Sequence, residues 1–234
     1  KLRGIAVGNT PDVLTDATAD IAIALLLAVA RRLKESAAAV AEGGWKTWEP
    51  TGWIGLDLVG KTIGIVGMGR IGAAVARRLA GGWGMKVVYT ARSAKPELDR
   101  EMSARHVELE ELLSISDFVS LHVPLSPATT ALIGAEAFTR MKTTAVLINT
   151  ARGEVVDQTA LEVALRERTI FAAGLDVCTP EPLPLDSPLL KLDNCLVLPH
   201  IGSATVDARN AMALRAARNV LAGVSGQALP YPVG

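Results

Sequence analysis

From Lys61 onward, short apolar runs that read as strands alternate with segments that read as helices. Such alternation favours βαβ units and a mainly parallel sheet. The sequence therefore predicts an α/β fold built on a doubly wound parallel sheet. The predicted strands are TIGIVG, KVVYT, DFVSLHVP, AVLINT, FAAGLDV and CLVLP, and helical segments such as AAVARRLA and TALEVALRER lie between them.

The chain before Lys61 has a different pattern. Ile5 to Val7 predict a short strand, and Asp16 to Lys34 predict a buried helix because the apolar residues are nearly continuous, with Asp16 or Thr18 as its N-cap. Residues 42–60 are rich in glycine and carry three tryptophans. This segment is too irregular for a helix or strand and too apolar for a solvated linker, so we expect it to cover another surface, such as a second subunit.

Charge and composition favour a small-molecule partner. The 24 basic side chains balance the 24 acidic ones, so no extended positive field attracts nucleic acid or an acidic membrane. Aromatic residues make up only 4% of the chain, so the sequence offers no set of stacking platforms for single-stranded nucleic acid. The longest apolar run, Ile21 to Ala30, is too short to cross a bilayer. Cys178 and Cys195 suggest neither a disulfide nor a metal site, and we expect a cytoplasmic protein.

The motif GMGRIG directly follows the predicted strand TIGIVG and opens the helix IGAAVARRLA. In this context Gly67 permits a tight turn, Gly69 lets the backbone approach a pyrophosphate, and Gly72 lets the helix pack closely on the strand. The phosphates then meet the positive end of the helix, beside Arg70 and Ile71. The motif predicts a Rossmann-type dinucleotide site, and a tight turn without a ligand is the alternative.

The residues after the second strand favour one dinucleotide over the other. About 20 residues beyond the glycines, an NAD site usually carries an acid that accepts the ribose hydroxyls. Here the strand KVVYT is followed by Ala91, Arg92, Ser93 and then Lys95, with no acid among them. Arg92, Ser93 and Lys95 could bind a 2′-phosphate, so NADPH is favoured over NAD. The alternative is that they are solvated surface residues.

Three further polar residues, Arg152, Glu181 and His200, each follow shortly after an apolar run that predicts a strand. Side chains just beyond the carboxyl ends of parallel strands converge on a shared crevice. A cation, a carboxylate and an imidazole that meet there suggest carbonyl chemistry. Singly, Arg152 could cap a helix, Glu181 could be a solvated turn residue and His200 could be structural.

Five segments of the chain closely resemble the D-isomer-specific 2-hydroxyacid dehydrogenases. Within that family, the stretches TPDVLTDATADIAIALLLAVARRL, GGWKTWEPTGW, YTARS, PEPLP and HIGSAT are most similar to the glyoxylate and hydroxypyruvate reductases. The resemblance implies reduction of a small 2-oxo acid by NADPH in a homodimer formed through the cofactor domain. The five segments are GKTIGIVGMGRIG, HVPLSPATTALI, MKTTAVLINTARGEVVDQTAL, AAGLDVCTPEPLP and LPHIGSAT.

The resemblance also implies roles for individual residues. Arg152 would bind the substrate carboxylate in a bidentate fork and polarise the C2 carbonyl. His200 would be the general acid, and Glu181 would orient its imidazole and favour the charged form. Asp176 would hold the nicotinamide carboxamide. Further cofactor contacts fall on Pro124, which matches the adenine-pocket position, and on Thr129, Thr150 and Gly202.

The expected domain organisation follows from the same resemblance. Residues 1–8 would end a substrate domain, 9–202 would form the cofactor domain with a dimerisation segment at 36–60, and 203–234 would return to the substrate domain as a C-terminal helix, Thr205 to Gly223, and a tail. Family members generally carry a further N-terminal half-domain of about 90 to 100 residues. A chain without it is expected to bind NADPH with little turnover. Trp48 could reach a partner's substrate pocket, and packing within its own chain is the alternative.

Two other functions remain open at this point. A dinucleotide-sensing protein, similar to corepressors on the same fold, would use the cofactor to control assembly, and phosphoglycerate dehydrogenase is another family member. The absence of an acid near Arg92 and of a basic or disordered tail favours the reductase. Of the other histidines, His106 is expected at the surface and His122 within its strand.

Overall fold

The computed structural model describes residues 4–233 and is built around one parallel sheet of seven strands. The strand order is β3-β2-β1-β4-β5-β6-β7, and every neighbouring pair is parallel. The predicted α/β fold of the Rossmann type is confirmed. The strands are β1 (Thr62–Val66), β2 (Lys86–Thr90), β3 (Arg105–His106), β4 (Phe118–Leu121), β5 (Val146–Asn149), β6 (Ala172–Leu175) and β7 (Cys195–Val197).

Helices cover both faces of this sheet. They are α1 (Thr15–Ala30), α2 (Leu33–Ala41), α3 (Arg70–Trp83), α4 (Pro96–Met102), α5 (Leu109–Ile115), α6 (Ala135–Arg140), α7 (Gln158–Arg166), α8 (Pro188–Lys191) and α9 (Val206–Val224). Among residues 4–233, no helix combines the length and apolarity that crossing a bilayer requires.

The core consists of two apolar clusters, one on each face of the sheet. Along β5, Val146 and Ile148 belong to the cluster that contains α1 and α3, whereas Leu147 belongs to the cluster that contains α5 and α7. Strands covered on both faces are largely apolar, which explains why their sequences are nearly continuous apolar runs. Most polar side chains of the sheet lie at or beyond the strand ends, and the buried Ser120 in β4 is an exception.

The strand order reverses between β1 and β4. From β1 the chain builds outward to β2 and β3, and then returns to place β4 on the opposite side of β1. Such a reversal opens a crevice at the carboxyl ends of the two central strands, which is where ligands bind in open α/β sheets. The fold therefore fixes the place of the candidate site.

The predicted helix over Asp16 to Lys34 is confirmed as far as Ala30, but it is interrupted near its carboxyl end. Helix α1 ends at Ala30, Arg32 adopts a left-handed conformation (φ 55°), and α2 begins at Leu33. The break has a packing cause, because the carbonyl of Ala30 accepts a hydrogen bond from Leu56 N (2.8 Å) in the glycine-rich segment. A contact with a residue so far along the chain is not visible in local helical periodicity.

Two other predictions at the amino end are also wrong. Neither Asp16 nor Thr18 caps α1, since Leu14 is the N-cap and no side chain accepts a hydrogen bond there. Residues 5–7 form no strand, and Gly8 makes only an isolated antiparallel bridge with Pro232. An isolated stretch of apolar residues becomes a strand only when a sheet edge is available to pair with it.

The glycine- and tryptophan-rich segment has neither helix nor strand, as predicted. Trp48 is 79% exposed, and Trp45 is also largely exposed. Packing within the same chain therefore does not account for Trp48. The structure also contains short elements that the sequence pattern did not indicate, namely β3, α4, α6 and α8.

Candidate active site

The turn after β1 has the geometry that the glycine motif requires. Gly67 has φ 99°, a backbone conformation that favours glycine, and its N–H donates to Thr90 O (3.0 Å). A Cβ at Gly67 would lie 2.8 Å from backbone atoms of His122. The turn therefore fits only glycine, and it joins the ends of β1, β2 and β4.

The other two glycines have different surroundings. A Cβ at Gly72 would lie 2.3 Å from Gly67 O and 2.9 Å from Ile65 Cγ2, so α3 packs directly on β1. Gly69 is exposed, and nothing in the described chain lies within 4 Å of a Cβ built there. It is also the N-cap of α3 without a side-chain cap, so the first amide groups of this 14-residue helix lack a side-chain acceptor. This open, positive helix end fits a pyrophosphate.

Arg70 and Ile71 occupy the first turn of α3. Arg70 forms a solvent-exposed ion pair with Asp12 (2.8 Å), a residue just before α1 that the sequence did not single out. Ile71 is half-buried. A groove of about 960 Å³ runs from Gly69 and Arg70 towards the β2–α4 loop, where Lys95 lines it. Its volume and position suit the adenosine half of a dinucleotide.

The β2–α4 loop presents the residues expected at a 2′-phosphate. Arg92 and Ser93 are exposed and Lys95 is half-buried. The backbone N–H of Lys95 donates to the Tyr89 hydroxyl (2.6 Å), and His106 Nε2 lies 3.0 Å from Ala91 O. The loop is thus tethered near both ends. The prediction that His106 is a surface residue is wrong, since it is half-buried and its ring lies 5.1 Å from the Tyr89 ring.

The residues expected to complete the cofactor site differ in their hydrogen bonding. Thr129 Oγ1 accepts from Ser126 N (2.8 Å) and donates to Pro124 O (2.7 Å), so its hydroxyl shapes the turn after β4. Thr150 follows β5, and its buried Oγ1 has no hydrogen-bond partner among the described residues. A buried polar atom without a partner is costly, which makes Thr150 a natural contact for a bound ligand. This observation fits a dinucleotide in the crevice.

Arg152 lies in a turn that Asn149 holds at the end of β5. Asn149 Nδ2 donates to Arg152 O (2.9 Å), and its Oδ1 accepts from Ala151 N (3.0 Å). The guanidinium is exposed and donates one hydrogen bond, to Ala151 O (2.6 Å). Most of its donors therefore remain free for an anionic group. Asn149 was not identified from the sequence, although a buried amide at a strand end is a recognisable signal.

Glu181 and His200 are in direct contact. Glu181 Oε2 lies 2.8 Å from His200 Nδ1, and Glu181 Oε1 accepts from Cys178 N (3.1 Å). Burial raises the pKa of Glu181, but the hydrogen bonds from His200 and Cys178 and the charge of Arg152 outweigh it and lower the pKa overall. An ionised carboxylate only accepts hydrogen bonds, so Nδ1 carries the proton that it shares with Glu181. The other ring nitrogen, Nε2, is the one left for a substrate.

The backbone around His200 is unusual. His200 has φ 55°, in the left-handed region, and the next two amides both donate to the Asp176 carboxylate, Ile201 N to Oδ1 (2.8 Å) and Gly202 N to Oδ2 (2.7 Å). Asp176 is 2% exposed. A largely apolar cavity of about 520 Å³ adjoins this loop. Its walls include Cys178, Leu183, Leu185, Leu190, Val197 and Leu198.

Comparison with known proteins agrees with this geometry. Residues 23–202 match a family model described as D-isomer specific 2-hydroxyacid dehydrogenase, NAD binding domain. The chain belongs to this dehydrogenase family. A glyoxylate reductase from Korarchaeum cryptofilum is 52% identical over 229 residues, which cover 97% of this chain and 69% of the relative. A human glyoxylate reductase/hydroxypyruvate reductase is 50% identical over 98% of this chain and 70% of its own length.

Solved structures lead to the same family. A glyoxylate reductase from Paecilomyes thermophila superposes with a TM-score of 0.87 and 37% identity, covering 98% of this chain and 68% of that structure. This 2-hydroxyacid dehydrogenase is therefore an NAD(P)-dependent oxidoreductase. The Rossmann-type domain is the part that binds its nicotinamide dinucleotide.

His122 makes the stability of the dehydrogenase depend on pH. It directly follows β4, its Nε2 lies 2.9 Å from Ser120 Oγ, and desolvation lowers its pKa from 6.5 to about 4. Between pH 6.5 and 4 the unfolded chain takes up a proton that the folded chain excludes, so stability falls as the pH falls. We expect the loss to reach about 3 kcal/mol. Urea unfolding at several pH values should show a flatter profile for His122→Gln, and equal slopes would contradict the prediction.

Proposed function

We propose that this dehydrogenase reduces glyoxylate and hydroxypyruvate to the corresponding 2-hydroxy acids, with NADPH as its cofactor. The observation that carries the proposal is the Glu181–His200 pair, which lies with Arg152 at the same sheet edge as the glycine turn. The names of the relatives from Korarchaeum cryptofilum and human support this choice of substrates.

In this proposal Arg152 binds the carboxylate of the 2-oxo acid. Its exposed guanidinium has free donors in a planar fork, which matches a carboxylate better than the point charge of a lysine. Asn149 binds the N–H of Ala151 and the carbonyl of Arg152, so the backbone from which the Arg152 side chain extends is held in place. Arg152 also lies near enough to Glu181 to lower the pKa of that carboxyl.

His200 donates the proton to the carbonyl oxygen from Nε2. The Glu181 carboxylate fixes the tautomer through Nδ1 and stabilises the charged imidazole before the proton is given up. Histidine suits this task because an unperturbed imidazole exchanges protons near neutral pH.

The cofactor, when bound, supplies the hydride that adds to the carbonyl carbon. The residues that would hold it are those of the glycine turn, the free amides of α3, and the unpartnered hydroxyl of Thr150. Asp176 is proposed to contact the carboxamide through lone pairs that the two backbone donors leave free. Pro124, Thr129 and Gly202 are proposed to complete the walls of the site.

The proposed cofactor preference depends on the β2–α4 loop. We expect kcat/KM with NADPH to exceed that with NADH at least about tenfold, because hydrogen bonds to a charged group contribute about 1.5–3 kcal/mol each. Arg92→Ala should remove most of this difference by lowering the NADPH value, with the NADH value unchanged. Arg140→Ala, on exposed α6 and paired with Glu136, is the matched control. Equal values for both cofactors in the unaltered protein would refute the preference.

The reaction itself is tested by following NADPH absorbance at 340 nm when substrate is added to the native protein. Oxidation with glyoxylate or hydroxypyruvate supports the proposal, and faster oxidation with 3-phosphohydroxypyruvate would favour a phosphoglycerate dehydrogenase. NADPH binding without turnover on any 2-oxo acid would favour a dinucleotide sensor.

The proposed domain boundaries and dimer have separate support. The described residues of 1–8 and the segment 203–234 are joined by the bridge between Gly8 and Pro232, and α9 exposes apolar side chains, as expected of segments that belong to a substrate domain. Residues 1–3 and 234 lie outside the described residues.

The exposed Trp48 supports a homodimer through residues 36–60. Sedimentation should give a dimer for the unaltered protein and a weaker one for Trp48→Ala, and a monomer at all concentrations would refute it.

A further inference from the structure

Thr18 lies on α1 but makes its side-chain hydrogen bond to the loop that carries His200. Its hydroxyl donates to Gly202 O (3.1 Å), a residue 184 positions further along the chain, and Thr18 is only 6% exposed. Because the N-cap position of α1 is Leu14, this hydroxyl lies inside the helix and has no role in starting it. Its only hydrogen bond in the described chain fixes the carbonyl of the second residue after His200.

The same loop is held from its other side by Asp176. Two hydrogen bonds of 2.8 and 2.7 Å join its carboxylate to Ile201 N and Gly202 N. Gly202 sits between the two groups, since a Cβ there would lie 3.0 Å from Asp176 Oδ2 and 3.3 Å from Thr18 Cγ2. The amides of Ile201 and Gly202 and the carbonyl of Gly202 are therefore all bound by buried side chains from two different elements.

This double attachment accounts for the conformation of His200. A residue other than glycine in the left-handed region costs on the order of 1 kcal/mol or more and persists only where its surroundings over-determine it. His200 has φ 55°, and the hydrogen bonds to the residues that follow it come from Asp176 and Thr18. Relaxation of the backbone at His200 would move the imidazole away from Glu181.

We propose that Thr18 is a positioning residue for catalysis, which together with Asp176 holds the His200 loop so that the imidazole keeps its contact with Glu181. The inference rests on the proposed role of His200 as the general acid. Small displacements of a catalytic group have large kinetic effects, up to about 10²-fold for about 1 Å. Thr18 is the better position for a test, because Asp176 is also proposed to contact the cofactor.

The test compares Thr18→Val, which removes the hydroxyl at nearly constant volume, with Thr18→Ser, which retains it. Thr18→Val should lower kcat about tenfold and leave KM for the substrate and the dissociation constant for NADPH within about twofold. Thr18→Ser should recover most of kcat. In the cofactor-free protein, NMR should detect faster hydrogen exchange at the amides of Ile201 and Gly202 in Thr18→Val and near-normal exchange in Thr18→Ser.

A matched control removes another buried hydroxyl far from the site. Ser116 is fully buried and its Oγ donates to Leu112 O (2.6 Å) before the amino end of β4. Ser116→Ala should lower the unfolding free energy by an amount similar to Thr18→Val without changing kcat. A kcat within twofold of the unaltered enzyme for Thr18→Val, or an equal fall in kcat for Ser116→Ala, would overturn the positioning role.

The acid assignment is tested separately in the same series with His200→Asn. If that variant stays active, the proposed mechanism fails and the positioning role in catalysis fails with it, whatever the exchange rates show. If His200→Asn is inactive and Thr18→Val is fully active, only the inference about Thr18 is overturned.

Discussion

Replacement of His200 by asparagine is expected to lower kcat at least about 10²-fold, the usual contribution of a positioned general acid. Asparagine is close to imidazole in size near the backbone and can still donate to Glu181 Oε2, which lies 2.8 Å from His200 Nδ1 in the unaltered chain. It also tolerates the left-handed backbone better than most residues, so the φ of 55° should be kept. The change therefore removes the proton donor and little else.

The measurement is steady-state turnover of glyoxylate and hydroxypyruvate, together with fluorescence titration of NADPH. The dissociation constant for NADPH should stay within about twofold, since no hydrogen bond of the glycine turn involves His200. Glu181→Gln serves as a companion variant, because it keeps the shape of the pair and removes the charge that stabilises the imidazolium. It should lose less activity than His200→Asn. A loss below tenfold for His200→Asn would exclude a general-acid role.

The parts of the structure that the sequence predicted correctly depend on local patterns. The parallel sheet follows from apolar runs such as AVLINT, because a strand covered on both faces favours apolar residues along most of its length. The glycine turn could be predicted because its three glycines lie within six residues, and in the structure Gly67 and Gly72 each leave no room for a Cβ, whereas Gly69 leaves open space in front of α3. Sheet geometry predicted that Glu181 and His200 converge at the same sheet edge, because the carboxyl ends of neighbouring parallel strands lie there, and the family resemblance implied the contact that the structure shows between them.

The parts that were missed depend on contacts between residues far apart in sequence. The end of α1 at Ala30 is set by Leu56, and the side chain of Thr18 is directed to Gly202 rather than to its own helix terminus. The left-handed conformation of His200 likewise has no clear local signal, because it is uncommon for every residue except glycine, although histidine adopts it more often than most. The sequence thus predicted the polar residues that we propose to react, whereas the residues that hold their backbone became visible only in three dimensions.

The second large effect is expected at the glycine turn, where two substitutions to alanine should separate folding from cofactor binding. A methyl group at Gly72 would lie 2.3 Å from Gly67 O, a backbone atom that cannot move aside without shifting α3 away from β1. Gly72→Ala should therefore lower both the unfolding free energy and the affinity for NADPH. It would not show by itself whether binding or folding is the primary loss.

Gly69→Ala resolves this question because the chain leaves room for the added methyl group. Nothing lies within 4 Å of a Cβ at Gly69, and its φ of −83° is accessible to alanine, so the unfolding free energy should not fall. The methyl group would instead occupy the space in front of the free amides of α3, where the pyrophosphate is expected. NADPH affinity should then fall at least about 10²-fold, because contacts with the helix end and the backbone are lost.

The matched control is Gly81→Ala, in the same helix and with equally open surroundings. It should bind NADPH normally and be slightly more stable. Normal NADPH binding by Gly69→Ala, measured by calorimetry alongside urea unfolding, would show that the dinucleotide does not lie on this turn.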